Sequence, residues 1–420
     1  MKTRSNALWR AARQRLAWTW GLMVLLGLWF APLARAADDW LPTGSFPDWQ
    51  LPTGGTVAAG AIGSLVIDPA APGTLYAGTS NGAVYKSTNG GSSWTVAAYG
   101  NSQIASFSIQ ALAIDPAAPG TVYAGSNVGG VIKSLDGGAS WTPVNSGLSS
   151  RSVLALATDP ATPGTVYAGT GGGLFKSVDG GASWTSVNNG LRANVAALAI
   201  DAAHPGTVYA GTHGNGVFKS IDGGATWSLA NSGMVNAEVY SLAIDPAVPS
   251  RLYAGTNAGV FKSVDGGASW TAVISGLNPT LVNAVAIDPA APGTVYAGTE
   301  GGGVFKTRNG GMSWLAINNG LSGGSIVNAF VLDPVTSGTV YVATHGGVFK
   351  SINSGPVITP LPDTGQTITL PLPGGFSIAA SAQQPGTQVQ LVETPTGAVA
   401  AVVTAGSAVL QHSVAGQPLI

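Results

Sequence analysis

The chain contains no cysteine. That excludes disulfides, thiolate nucleophiles and zinc–thiolate sites. Charge is scarce as well: Asp, Glu, Lys and Arg together make up 8% of the 420 residues. No basic stripe is present, so nucleic acid is not an expected partner. After residue 36 no apolar run is long enough to span a bilayer as a helix. No run keeps a helical period either, so an all-β chain is expected. Residues 356–420 lack Lys and Arg altogether and carry only Asp363 and Glu393 as acids.

One stretch does carry concentrated positive charge. Lys2, Arg4, Arg10, Arg13 and Arg15 precede an apolar core, Gly21 to Phe30, and the small-x-small triplet Ala34-Arg35-Ala36. This reads as a signal peptide over 1–36 and predicts an exported protein, whether secreted, periplasmic or cell-surface, with no membrane span after cleavage. Six of the 17 basic residues lie in that segment, which leaves 11 against 18 acids and a net charge of −7.

Glycine (61 residues) and proline (26) are plentiful. They recur regularly but without collagen's third-position rule, which points to a repeat protein. The clearest phrase is Ser177-Val178-Asp179-Gly180-Gly181-Ala182-Ser183-Trp184. It returns at Ser134 to Trp141, Ser220 to Trp227 and Ser263 to Trp270, with Asn89 and Asn309 replacing the Asp in two further copies. A seventh copy, from Ser351 to Gly355, breaks off before any Trp. The phrase marks a unit of about 44 residues. Asp68, Asp115, Asp159, Asp201, Asp245, Asp288 and Asp333 each close its first apolar run, and Tyr76, Tyr123, Tyr167, Tyr209, Tyr253, Tyr296 and Tyr341 mark its second.

Each unit holds four short apolar or alternating runs separated by Pro, Gly or Asn, which predicts four strands with tight turns. Seven such units predict a seven-bladed β-propeller over 61–355, because a closed ring removes the exposed end faces of an open stack. The last unit lacks its fourth strand. Residues 37–60 carry a twofold echo, Asp39-Trp40-Leu41-Pro42 and Asp48-Trp49-Gln50-Leu51-Pro52, and one copy is expected to close the ring. The preferred register uses Trp49, with Trp40 as the rival. Residues 356–420 predict a small β-rich region of four strands near 367–370, 376–378, 389–392 and 399–403. Its completeness is open. Leu361-Pro362-Asp363-Thr364-Gly365 lacks the apolar span and basic tail of a sorting signal and reads as a turn.

The repeated phrase resembles the Asp-box, or BNR repeat, over about residues 61–355. Sialidases, xyloglucan-type glycoside hydrolases, sortilin-like receptors and photosystem II assembly factors share it. The resemblance implies a β-propeller in which the box is a structural turn between third and fourth strands. On that basis Asp136, Trp141, Asp179, Trp184, Asp222, Trp227, Asp265 and Trp270 are structural. Asp and Ser satisfy turn N–H groups, and the Trp fills a gap between sheets. One carboxylate per box falls short of the ~6–8 oxygens of a calcium cage. The Lys before each box (Lys86, Lys133, Lys176, Lys219, Lys262, Lys306, Lys350) is expected to meet an acid of its own or the next unit, or to cover apolar surface.

Function is expected where the units differ. The second-to-third loops place Ser80, Asn127, Gly171, His213, Asn257, Glu300 and His345 on one face; the connections between blades add Tyr99, Arg151, Arg192, Glu238, Asn283 and Asn328. Of these, Arg151, Arg192, His213, Glu238, Glu300 and His345 are the candidate ligand-binding residues. His213 and His345 fall across the ring from one another, so no metal site is expected. The sialidase arginine triad cannot be assembled, because Arg251 and Arg308 belong to the opposite face. No catalytic residue and no cofactor are assigned. The leading expectation is a non-catalytic scaffold for a protein or glycan ligand; the alternative is a glycoside hydrolase using Glu238 and Glu300. The oligomeric state is not readable.

Overall fold

The computed structural model describes residues 40–48, 60–98 and 107–351, apart from 192, 235–236, 279–280, 322–324 and 337, and backbone alone at 49–50, 56–57, 352 and in strands between 358 and 414. The signal segment lies outside the described residues.

Asp38–Asn353 forms one unit, a ring of seven four-stranded antiparallel sheets. The blades begin with inner strands Ile62–Ile67, Ile109–Ile114, Val153–Thr158, Val195–Ile200, Val239–Ile244, Val282–Ile287 and Val327–Leu332. Each inner strand packs on the next, and the seventh returns to the first. Blade four shows the plan: Val195–Ile200, Val208–Thr212, Gly216–Ser220 and the short outer strand Ser228–Leu229. Second strands such as Val208–Thr212 are buried along their whole length. In six of the seven the penultimate residue is a glycine dictated by close approach: a Cβ on Gly211 would lie 2.6 Å from the Val239 side chain of the next blade.

The box turns hold as their chemistry predicts. Ser177 Oγ accepts from the Gly181 N–H at 2.7 Å, and Asp179 accepts from the Ser183 N–H at 2.9 Å and its hydroxyl at 2.6 Å. Gly180 and Gly181 take positive φ, 69° and 91°. Asn89 and Asn309 make the same bond to the Ser93 and Ser313 N–H groups. The Trp joins its sheet to the preceding one: Trp184 Nε1 donates to the Val144 carbonyl at 2.8 Å and its backbone N–H to Ser146 at 2.8 Å.

Five of the repeated lysines bond a backbone carbonyl of the next box. Lys133 Nζ donates to the Gly180 carbonyl at 2.8 Å and lies 5.4 Å from the centre of the Tyr123 ring, whose hydroxyl donates to the same carbonyl at 3.1 Å. The arrangement recurs on Gly137, Gly223, Gly266 and Gly310. A Tyr–Lys pair of one blade thus clamps the box of the next. The sequence hid this because a backbone carbonyl carries no residue-type signal.

The ring is closed by Trp40–Pro42, which pairs antiparallel with Gly347–Ile352 in the register Trp40↔Ser351. This corrects the preferred register, which used Trp49; Trp49–Gln50 instead pairs with Thr56–Val57. The physical reason is that Trp40 makes both bonds of a box Trp. Its N–H donates to Asn319 at 2.9 Å and its indole to the Ile317 carbonyl. Pro42 then occupies the outer edge, where a missing N–H is tolerated.

A second unit contains Ser354–Ile420. It has six strands in two three-stranded sheets, Ile358–Pro360, Gln388–Glu393 and Val399–Ala405 in one, Thr367–Pro371, Phe376–Ala382 and Ala408–Val414 in the other. The first and last strands add to the four expected. Among the described residues no helix is long and apolar enough to cross a membrane.

Candidate binding face

The loop rim is built the same way in every blade. A Thr or Ser at the end of the second strand is buried, and its hydroxyl ties the hairpin: Thr212 Oγ1 donates to the Gly216 carbonyl at 2.8 Å and Thr256 to Gly259 at 2.9 Å. The next residue turns outward, and its N–H donates to the segment entering the inner strand. These bonds run Ser80 to Ala61 (2.8 Å), Asn127 to Ser108 (3.0 Å), Gly171 to Ser152 (3.0 Å), His213 to Asn194 (3.1 Å), Asn257 to Glu238 (3.2 Å), Glu300 to Leu281 (3.2 Å) and His345 to Ile326 (3.3 Å). Hairpin tips and entry segments therefore share one rim. The box turns lie at the other end of the strands.

A feature of the inner strands escaped sequence reasoning. All seven carry a β-bulge at their second residue, next to the rim. The bulged residues are Gly63, Gln110, Leu154, Ala196, Tyr240, Asn283 and Asn328. A bulge leaves one residue outside the ladder and re-aims its side chain. Asn283 and Asn328 belong here rather than in the connections between blades. The available signal was a broken period of two after the first Val or Ile of each unit.

Tyr240 gathers several rim residues. Its hydroxyl donates to Glu238 Oε2 at 2.5 Å, and the His213 ring stands edge-on at 5.7 Å between centroids. Asn257 accepts from the Glu238 N–H at 3.2 Å. The hydroxyl is pushed up to about 12 by burial, by its bond to Glu238, and by the charges of Glu238 and Glu300. It therefore stays a neutral phenol at physiological pH. The structure brings His213, Glu238, Asn257 and Glu300 into one sector of blades four to six around a tyrosine.

The other candidates are placed apart from this sector. Arg151 is exposed at the rim of blade three, where its carbonyl accepts from Gly130 at 3.0 Å. His345 is exposed on blade seven. Arg192 and Tyr99 lie outside the described residues. Arg251 is bound to Asp245 at 2.7 Å in a first-to-second turn, away from the rim. Among the described residues no group of three His, Asp or Glu is arranged to hold a metal ion.

No protein-family model matches this sequence, and no curated protein matches it. Solved structures do share its fold. A GH74 enzyme from Niastella koreensis superimposes with a TM-score of 0.60 at 20% identity, over 85% of this chain and 67% of that one. The GH74 xyloglucanase of Xanthomonas campestris gives 0.59 at 18%, over 83% and 60%. YCF48 bound to D1 peptide gives 0.55 at 15%, over 74% of this chain and 98% of that one. This chain thus spans about two thirds or less of the two enzymes. At such identities the likeness shows the fold alone: a β-propeller of the kind used both by glycoside hydrolases and by a peptide-binding protein.

Proposed function

We propose that this chain is an exported, non-catalytic Asp-box propeller that binds a protein or glycan through its loop rim. The carrying observation is Tyr240, a phenol held neutral between Glu238 and His213 on the rim of blades four to six. A neutral hydroxyl with a fixed proton and a flanking imidazole suits hydrogen-bonded recognition. Arg151 extends the polar rim into blade three. The export reading rests on the basic–apolar–small order of residues 1–36.

Hydrolysis is a second reading with one observation in its favour. A tyrosine bonded to a glutamate can serve as a glycosidase nucleophile, and Glu300 supplies a further carboxylate nearby. Against it, Tyr240 has its ionisation driven upward, whereas an activated nucleophile needs the reverse.

A glycan array and an affinity pull-down with the full-length chain separate the readings. Binding that falls at least tenfold in both Glu238→Gln and Tyr240→Phe supports the rim. Binding unchanged in both variants removes this sector from the proposal. Turnover of a polysaccharide by the wild type that disappears in Glu238→Gln decides for the hydrolase.

A further inference from the structure

Blades two, three, four and six plug their own rim with an asparagine four residues after the box Trp, where blades one and five carry Ala98 and Ile274. Asn145 in blade two accepts from the Val131 N–H at 2.8 Å and donates to the Gly129 carbonyl at 3.3 Å. Asn318 in blade six accepts from Val304 at 2.7 Å and donates to Gly302 at 2.8 Å. Asn188 accepts from Leu174 at 2.7 Å, and Asn231 donates to the Asn215 carbonyl at 3.2 Å. The plug sits hard against the hairpin glycine. A Cβ on Gly130, Gly173, Gly216 or Gly303 would meet an atom of that asparagine at 2.1 to 2.9 Å.

Blade seven has no such plug. Its outer strand comes from Trp40, and four residues on stands Gly44. Ring closure dictates that glycine. The chain there leaves blade seven for blade one, the Gly44 N–H donates to the Gly91 carbonyl at 2.7 Å, and a Cβ would meet the Ser92 carbonyl oxygen at 2.3 Å. No side chain fits, so none can reach back over the hairpin. Gly347, the counterpart of Gly173, accordingly has no atom of the described residues within 4 Å of its would-be Cβ.

A cleft of about 460 Å³ opens at this place. Phe46, Ile62, Val348 and Phe349 line it, together with the exposed Ser45 and His345. Phe46 is fixed by stacking on Trp94 at 4.8 Å and by its edge-on contact with Tyr85 at 4.9 Å. Thr43 donates its N–H to the Val348 carbonyl at 3.0 Å, which marks the strand edge on this side. The Val348 N–H shares that edge, since both groups of a strand residue point the same way. The Gly346 carbonyl corresponds to those of Gly129 and Gly302.

We infer that this seam cleft is a binding site for an asparagine side chain presented by a peptide segment of a partner protein. The Val348 N–H and the Gly346 carbonyl form the donor–acceptor pair that blades two and six satisfy in full with Asn145 and Asn318. The cleft volume falls within the ~300–1,000 Å³ range of ligand sites. Its apolar walls take a neighbouring side chain of the peptide. The site lies two blades from Tyr240 and does not depend on the rim reading there.

The test uses the full-length chain, labelled with ²H and ¹⁵N, and acetyl-asparagine N-methylamide as probe. Capped leucine and N-acetylglucosamine are the controls. The expected result is a saturable shift of the Val348 and Gly347 amide signals with the asparagine probe, and at least a tenfold weaker response to both controls. Ser45→Trp, a change at an exposed position, is expected to fill the cleft and abolish the shift while leaving the remaining spectrum intact. Leucine acting as well as asparagine would reduce the cleft to an apolar hole and overturn the inference. Preference for the sugar overturns it in favour of a glycan site. Absence of any shift at millimolar probe, or an unchanged shift in Ser45→Trp, also overturns it. Should Ser45→Trp fail to fold, His345→Trp on the same lining provides the blocking variant.

Discussion

The Trp40 indole donates to the carbonyl of Ile317, joining residues 277 positions apart. Within six residues the same segment touches three blades. Trp40 is bonded to blade six, Thr43 donates to Val348 of blade seven at 3.0 Å, and Phe46 packs on Tyr85 and Trp94 of blade one. Ring closure therefore hangs on a three-residue strand, with Trp40 at its start and Phe46 four residues beyond its end. Trp40 is fully buried beside Tyr296, Ile317, Leu321 and Phe349. Trp40→Ala is expected to cost roughly 3–5 kcal/mol, the range for deleting a buried large aromatic. Urea denaturation followed by circular dichroism measures this. Trp49→Ala is the control, since it should be the damaging change if the other register closed the ring.

How much of this was readable beforehand depended on repetition. Seven copies of the strand-closing Asp, the second-strand Tyr and the box phrase announced blades, strand count and turn chemistry, because each copy restated the same local physics. The closing strand has only two copies, Trp40 and Trp49, with nearly the same neighbours. Sequence could not separate them; the fit of Trp40 to the Asn319 and Ile317 carbonyls did. Backbone partners were hidden for the same reason. Lys133 and Tyr123 converge on the Gly180 carbonyl, and no side chain identity advertises an oxygen that every residue possesses. On the rim, His213, Glu238 and Glu300 stood out as polar side chains against an apolar background. Tyr240 did not, since a tyrosine inside a strand reads as core until the bulge is seen to re-aim it.

The box carboxylates predict acid sensitivity. Hydrogen bonds from the following Ser or Thr hold Asp136, Asp179, Asp222 and Asp265 down at about 2, from 3.8. A folded-state value below the unfolded one favours folding above about pH 4, and that contribution is lost as pH falls through about 2. Stability should therefore decline over this window. Replacing all four by Asn, which blades one and six already use at Asn89 and Asn309, is expected to keep the turns and flatten the acid limb. Urea midpoints between pH 5 and pH 2 compare the two proteins. Parallel curves would mean that the boxes are not the source.

The Tyr–Lys clamp predicts coupling between blades. Tyr167 and Lys176 both donate to the Gly223 carbonyl, at 2.9 and 2.8 Å, and the ammonium lies 5.2 Å from the ring centre. Lys176→Met keeps the apolar stem and removes the charge. It is expected to cost about 1–2 kcal/mol, one charge-assisted bond plus a cation–π contact. Tyr167→Phe should cost about 1 kcal/mol. Because both donors share one acceptor, the double variant is expected to lose less than the sum. Strict additivity in a double-mutant cycle would show that the two donors act independently.

The phenols predict the alkaline side. Burial pushes Tyr76, Tyr123, Tyr167 and Tyr253 up to about 12, while Tyr240 reaches about 12 with help from Glu238. A raised folded-state value stabilises the fold below pH 10, and this stabilisation is lost as pH rises through 12. Tyrosinate absorbance of the folded protein should thus lag behind that of the urea-unfolded chain between pH 10 and 12. Glu238→Gln removes the acceptor charge from Tyr240 alone, so one tyrosine should move back toward 10 while the buried four stay. The same variant should change stability by no more than about 0.5 kcal/mol, because Tyr240 and Glu238 are both partly open to solvent. A titration in which Glu238→Gln shifts no tyrosine would break the Tyr240–Glu238 bond on which the rim reading rests. A titration that shifts one, together with loss of ligand in the array, would tie recognition to the protonated phenol.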